Sequence, residues 1–325
     1  MCAISAQEAK SANIAHPAKW VHVGLMETWV VITVAAAFFQ NVRSTLQKYL
    51  KGRIGTSGAT FVRFGFGLPF AFLFLAILHH GMGYPLSALN SSFFGWVVMA
   101  ALSQITAQAL LIHLFSYRNF AVGTAYSRTE PAQAALFGLI FLSETVSWVV
   151  LLAIAISVAG VMLISVARTE RNPGALITSL SSRSVAIGLC SGSFFGLSAV
   201  GYRGASLSLG GPNFLMQGSV TLCTAITFQT VVMLVFIAIR DPGELRRIAA
   251  AWKPALAVGF VGATASFGWF TAMTLEKAAV VKAVAQIEML FTFTSTVFVF
   301  REKINKLEIL GCLAIVGGIL LLLLT

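Results

Sequence analysis

Charge is the first thing this chain has little of. Charged residues make up only 10% of its 325 residues, against 58% hydrophobic ones. A soluble domain carries about 25% charged residues. A chain so poor in charge cannot cover its own surface with groups that water tolerates, which excludes an ordinary soluble fold. Cysteine is scarce too: there are four, with no CxxC, and Cys190, Cys223 and Cys312 lie inside apolar segments. That pattern excludes a disulfide scaffold or a thiolate metal site and leaves small core residues. The five histidines are scattered, with His79-His80 at one segment end and His113 late in another. No metal and no cofactor are expected. There is no HExxH, no GxSxG and no run of Asp or His at a membrane edge, which argues against an intramembrane enzyme. No filter-like loop or charged ring points to a channel. A lipid scramblase or lipid sensor is a further class, marked by dependence on lipid rather than on soluble metabolites.

Long apolar runs take the place of what is missing. A spanning helix needs roughly 20 apolar residues, and ten such segments fit: 28–47, 57–78, 92–115, 120–142, 146–166, 184–204, 213–239, 254–274, 278–300 and 306–325. The expected class is an all-α polytopic membrane protein whose constant partner is the lipid bilayer. Residues 1–27 are polar and mixed, without the regions of a cleaved signal, and read as a tail ahead of an uncleaved first helix. The stretch 167–183 is the only long polar break in the middle. It separates a first set of five segments (28–166) from a second (184–325).

The two sets repeat. A shift of 158 residues lays Ala121-Val122 on Ala279-Val280, Glu130 on Glu288, Glu144 on Glu302, Leu152 on Leu310 and Gly160 on Gly318. Five helices per repeat make the second copy enter the membrane from the opposite side. The expectation is ten transmembrane helices as two inverted five-helix repeats, with a binding site on the axis between them. Net charge is +11, and the basic residues gather in loops rather than on a nucleic-acid face. One side holds Lys48, Arg53, Arg118, Arg168, Arg183, Arg246, Arg247, Lys253 and Lys303 among others; the other holds Lys10, Lys19 and Lys277. By the positive-inside rule the first side is cytoplasmic, so both termini face outward.

The stretches YSRTEPAQAALFGLIFLSETVSWVVLLAIAISVAGVMLIS and VAQIEMLFTFTSTVFVFREKINKLEILGCLAIVGGILLLLL resemble the paired halves of the EamA-like family of the drug/metabolite transporter superfamily. The shared features are a mid-helix Glu or Pro, an apolar run closing with Glu, and a Gly-containing last helix. The resemblance covers roughly 28–325. It implies a central cavity, peripheral fifth and tenth helices, and export of small molecules across a bacterial inner (plasma) membrane. Ten-helix members are drawn with both termini in the cytoplasm; the loop charges here argue the reverse.

Carboxylates in a bilayer core are costly and usually serve an ion or substrate, so Glu130 and Glu288 lead the candidate site. Pro131 should break the helix beside Glu130. A carboxylate in an apolar surrounding can exchange a proton during transport. The competing readings for Glu130 are a neutral packing group, or an ion pair with Arg128 or Arg63. Arg128 must meet an anion, carbonyls or water, with Glu288, Glu130 or substrate as partner. Lys282 and Gln286 share a face, and Lys282 either binds a substrate carboxylate, neutralises a glutamate or snorkels to the interface. Tyr126 lies one turn before Glu130. Polar stripes nominate Gln40, Arg63, Gln104, Gln108, Tyr202, Gln217, Thr221 and Trp269 as cavity lining; each stripe alone also fits helix–helix hydrogen bonding. Arg43 shares a face with Gln40 and Gln47, as a vestibule wall or an interfacial edge. Glu144 and Glu302 read as structural groups closing their helices, and Asn305 with Glu308 as a helix start. Ala155, Ala159, Ala314 and Gly318 form small-residue faces for packing the fifth and tenth segments, or for homodimer contact. The expected function is secondary transport of a small polar metabolite, such as an amino acid or carboxylate-bearing compound, by a monomer or homodimer. The competing reading is uncoupled exchange of organic anions or drug-like compounds.

Overall fold

The computed structural model describes residues 18–50, 53–114, 125–167, 183–211, 213–298 and 306–324. Among them every regular element is helical. They are α1 (Ala18–Leu50), α2 (Thr56–Gly65), α3 (Leu68–Ala76), α4 (Ser91–Leu114), α5 (Glu130–Leu142), α6 (Trp148–Ala167), α7 (Arg183–Ser208), α8 (Phe214–Arg240), α9 (Pro242–Ala250), α10 (Trp252–Leu275), α11 (Ala278–Val284), α12 (Ile287–Phe298) and α13 (Lys306–Leu323). A π turn, Ile77–Gly81, continues α3. Among the described residues, seven stretches are long and apolar enough to cross a membrane. Their outward surface is greasy: Trp148, Ile239, Leu313 and Leu152 are all exposed. A face that apolar has lipid as its natural solvent.

Local chemistry sets several helix starts. Asn90 accepts from the Phe93 N–H at 2.8 Å ahead of α4. Asn213 accepts from Met216 at 3.0 Å at the start of α8. Side-chain oxygens at these positions satisfy donors that a helix start leaves open. α1 starts at Ala18, within the polar stretch 1–27. The central linker lies almost wholly outside the described residues, as do Arg118, Glu302 and Asn305.

Three segments are broken rather than continuous. α2 and α3 part at Phe66-Gly67, just ahead of Pro69. A helical turn at 125–127 stops at Arg128-Thr129, and α5 then begins at Glu130 with Pro131 in its first turn. This break is the one Pro131 predicts. Its counterpart between α11 and α12, at Ala285-Gln286, has no proline behind it. Both breaks tighten to i→i−3 bonds: Arg128 N–H to Ala125 O at 3.1 Å, and Glu288 N–H to Ala285 O at 3.0 Å.

The packing exchanges partners between halves. α4 of the first half lies along α7 of the second, and α1 of the first along α10 of the second. With α1 equivalent to α7 and α4 to α10, each pair is the image of the other, as a two-fold relation requires. α6 and α13 pack against each other, and the broken pairs α5 and α11 meet at the centre. Small residues let the backbones close in. A Cβ on Gly160 would lie 2.6 Å from the Gly311 carbonyl oxygen, and one on Gly318 2.8 Å from that of Ala153. The sequence pointed to Ala155 and Ala159 here. Both are exposed; the contact uses Ala153, Ser157 and Gly160, one helical face away. Gly160→Leu should therefore lower stability by about 1–3 kcal/mol, the usual cost of overpacking a closed contact. Thermal unfolding of the purified protein checks this; an unchanged midpoint would show that α6 and α13 do not touch there.

Candidate functional site: a charged cavity between the halves

The broken helices aim their glutamates at one place. A cavity of 690 Å³ lies between the halves, lined among others by Gln40, Arg128, Glu130, Trp269, Lys282 and Glu288. Each glutamate is neutralised from the other half. Lys282 Nζ of α11 stands 2.8 Å from Glu130 Oε1, the two side chains 18% and 17% exposed. Arg128 Nη1 stands 3.7 Å from Glu288 Oε2. Gln286 Nε2 donates to the Arg128 carbonyl at 3.3 Å, tying one helix break to the other. Arg128 and Gln286 are repeat equivalents at the 158-residue shift, so the contact sits where the halves meet.

Neutral groups complete the set. Trp269 Nε1 donates to Gln40 Oε1, and Gln40 Nε2 to Glu288 Oε2, both at 2.9 Å. The Lys282 ammonium lies 5.2 Å from the centre of the Trp269 ring. This distance allows cation–π attraction. Lys282 is thus directed into the cavity, not out to the interface. Of the partners open to Glu130 in the sequence, neither Arg128 nor Arg63 is taken; the cation comes from α11.

Gln104, Gln108, Arg63 and Tyr202 also line the cavity, as do Arg43 and Gln47. Gln104 accepts from the Tyr202 hydroxyl at 3.1 Å and from Gln229 Nε2 at 2.7 Å. Gln229 was missed in the sequence. Its only signal is an amide set between Thr227 and Thr230 in α8, where it is 3% exposed. Three candidates fall elsewhere. Tyr126 packs with Val185 in a small separate cluster. Gln217 turns back to the Gly210 carbonyl at 2.9 Å. Thr221 meets Ser206 at 3.0 Å between α8 and α7. None of the three is among the residues lining the cavity; Gln217 and Thr221 give their polar groups to a backbone carbonyl and a helix–helix bond. Gln286 is buried behind the wall, holding Arg128 rather than lining the space.

The two ends of the cavity differ. Toward the basic loops the lining reaches Gln47 and Leu111, near the ends of α1 and α4. The opposite end is crossed by contacts between the halves. Arg203 Nε of α7 meets Glu144 Oε1 at 2.6 Å, and its Nη1 donates to the carbonyls of Met273 and Glu276 at 2.7 and 2.6 Å. Lys277 Nζ donates to Thr145 O at 2.7 Å. Ser143, with φ of +54°, ends α5 in a left-handed turn that swings Glu144 back beneath the helix. Glu144 therefore does more than close its helix: it bonds the first half to the second. Among the described residues no group of His, Cys, Asp and Glu could hold a metal ion.

Two stretches, 27–166 and 183–324, each match the model of the EamA-like transporter family. One solved crystal structure is similar over 91% of this chain and 96% of its own, with a TM-score of 0.68 and 14% identity. At that identity the likeness extends to the fold. Among curated proteins, none matches.

Proposed function

From the premise that the chain belongs to the EamA-like transporter family, part of the drug/metabolite transporter superfamily, we propose a secondary transporter that exports small polar metabolites, such as amino acids or carboxylate-bearing compounds. Ten segments cross the bilayer as two inverted five-helix repeats. The halves rock about the central cavity, exposing it to one side at a time. The observation that carries this reading is the cavity itself. Each half contributes a broken helix whose glutamate is balanced by a cation of the other half, so any relative movement of the halves remakes the charges around a bound solute. The positive-inside rule puts the basic loops in the cytoplasm, so this conformation receives solute from the inside. Both termini are then outside in this topology.

Glu130 and Glu288 carry the coupling proton under this reading. A second reading, uncoupled exchange, is favoured by one observation: both carboxylates already have a cation beside them, so neither needs a proton for neutrality. Proteoliposomes holding a pH dye separate the two. Pooled amino acids, organic acids and cationic drugs are added to wild type, Glu130→Gln and Glu288→Gln. Coupled transport predicts substrate-dependent proton movement that both substitutions remove. Tracer exchange without proton movement, surviving both substitutions, establishes exchange instead.

A further inference from the structure

Two positive charges are left over once the glutamates are paired. Arg43 of α1 and Arg63 of α2 both line the cavity. Arg43 is 7% exposed. Its Nε and Nη1 are buried without a hydrogen bond, and so is the Nε of Arg63. None of the ion pairs among the described residues includes either side chain. Of the two carboxylates that line the cavity, Glu130 is held by Lys282 and Glu288 by Arg128 and Gln40. Arg63 lies 5.1 Å from the centre of the Phe64 ring, a contact that attracts but does not neutralise.

The two stems stand side by side. A Cβ built on Gly262 of α10 would meet Arg43 Cδ at 3.3 Å and Arg63 Cγ at 3.5 Å. Glycine at 262 is what makes room for both. A guanidinium cannot shed its proton to escape burial, and two of them side by side repel. Such a pair is costly unless an anion joins it. The charge count agrees. The lining holds Arg43, Arg63, Arg128 and Lys282 against Glu130 and Glu288. A solute with two negative charges makes the cavity neutral, whereas a single negative charge leaves one cation bare.

We propose that Arg43 and Arg63 form an oxyanion subsite toward the basic-loop end of the cavity, taking a substrate whose head carries two negative charges, as in a phosphate monoester or a dicarboxylate. This rests on the transport reading of the same cavity. It also moves substrate recognition away from Arg128 and Lys282, whose charges are already spoken for. The planar forks of the guanidiniums suit oxyanion oxygens, each offering parallel N–H donors.

Thermal unfolding of the purified full-length protein, at constant ionic strength, tests this. Sulfate, phosphate and succinate are titrated against acetate. The dianions should raise the melting temperature saturably and acetate should not. Arg43→Gln and Arg63→Gln should each weaken the dianion effect by about tenfold or more, and Arg43→Lys by less, because it keeps charge but loses the fork. Without ligand, Arg43→Gln should melt at or above wild type, since an uncompensated charge is gone. Equal shifts with acetate, undiminished dianion binding in Arg43→Gln, or a lower ligand-free melting temperature for that variant would each overturn the subsite. Flux assays keep the two claims apart. Arginine-dependent dianion binding with no solute crossing would sink transport and spare the subsite. Flux of zwitterions, with dianions neither binding nor competing, would do the reverse.

Discussion

Lys282→Met should destabilise the protein by about 3–5 kcal/mol, the range for stripping one partner from a buried pair, and should abolish transport. Lys282 Nζ lies 2.8 Å from Glu130 Oε1, and less than a fifth of either side chain is exposed. Glu130 Oε1 makes no well-directed hydrogen bond, so the contact is held by charge. Methionine keeps much of the stem and its packing while deleting the ammonium. The carboxylate then stays behind, buried at membrane depth without its cation. Water reaching the cavity relieves part of that penalty, which favours the lower end of the range. The double variant Lys282→Met/Glu130→Gln removes both charges and should recover most of the lost stability, giving a large coupling in a double-mutant cycle. Transport should stay lost, because the charge movement between the halves is gone. If the single variant melted like wild type, the ion pair would not exist in the folded protein.

The second large effect belongs to the closed end. Arg203→Gln should raise the rate at which a cysteine in the cavity is labelled from the side of loops 143–147 and 276–277 by about tenfold or more. That rise corresponds to at least about 1.4 kcal/mol lost from the closed state relative to the open one. Arg203 joins Glu144 of the first half to the end of α10 in the second through three short contacts. Charge-assisted bonds of this kind are among the stronger ones. Glutamine reaches less far and carries no charge, so the halves lose one of their ties at that end, with Lys277 to Thr145 left in place. Met273→Cys in an otherwise cysteine-free chain provides the reporter, as Met273 lines the cavity. Arg203→Lys keeps the charge without the fork and should fall between. A drop in stability with no side-selective gain in labelling would make Arg203 a structural clamp and nothing more.

What the sequence made legible follows from physics that acts locally or repeats. The apolar runs mark the helices because membrane-depth backbone must satisfy itself. The 158-residue shift exposes Glu130 and Glu288 because both halves carry the same charge in the same place. Pro131 announces the first break. The break at Ala285-Gln286 is silent, since neither proline nor glycine lies there; what marks it in the fold is the bond from Gln286 to the Arg128 carbonyl of the other half. Which faces meet is equally hidden. A helical period places Lys282 and Gln286 together, but not opposite Glu130 and Arg128. Gln217 and Thr221 share a polar stripe that looks like cavity wall and instead satisfies Gly210 O and Ser206. Glu144 looks like a helix end until Arg203, 59 residues away in sequence, closes on it.

The central claim is that solute passes through the cavity between the halves, and filling that cavity tests it most directly. Ser266 lines it from α10. Wild type and Ser266→Trp are reconstituted side by side and assayed for counterflow of the pooled metabolites, with melting temperature as the control for folding. The account predicts flux of at least one pool in wild type and its loss in a folded Ser266→Trp protein. Undiminished flux through the filled cavity, or movement of labelled lipid with no flux of any soluble pool, would contradict it.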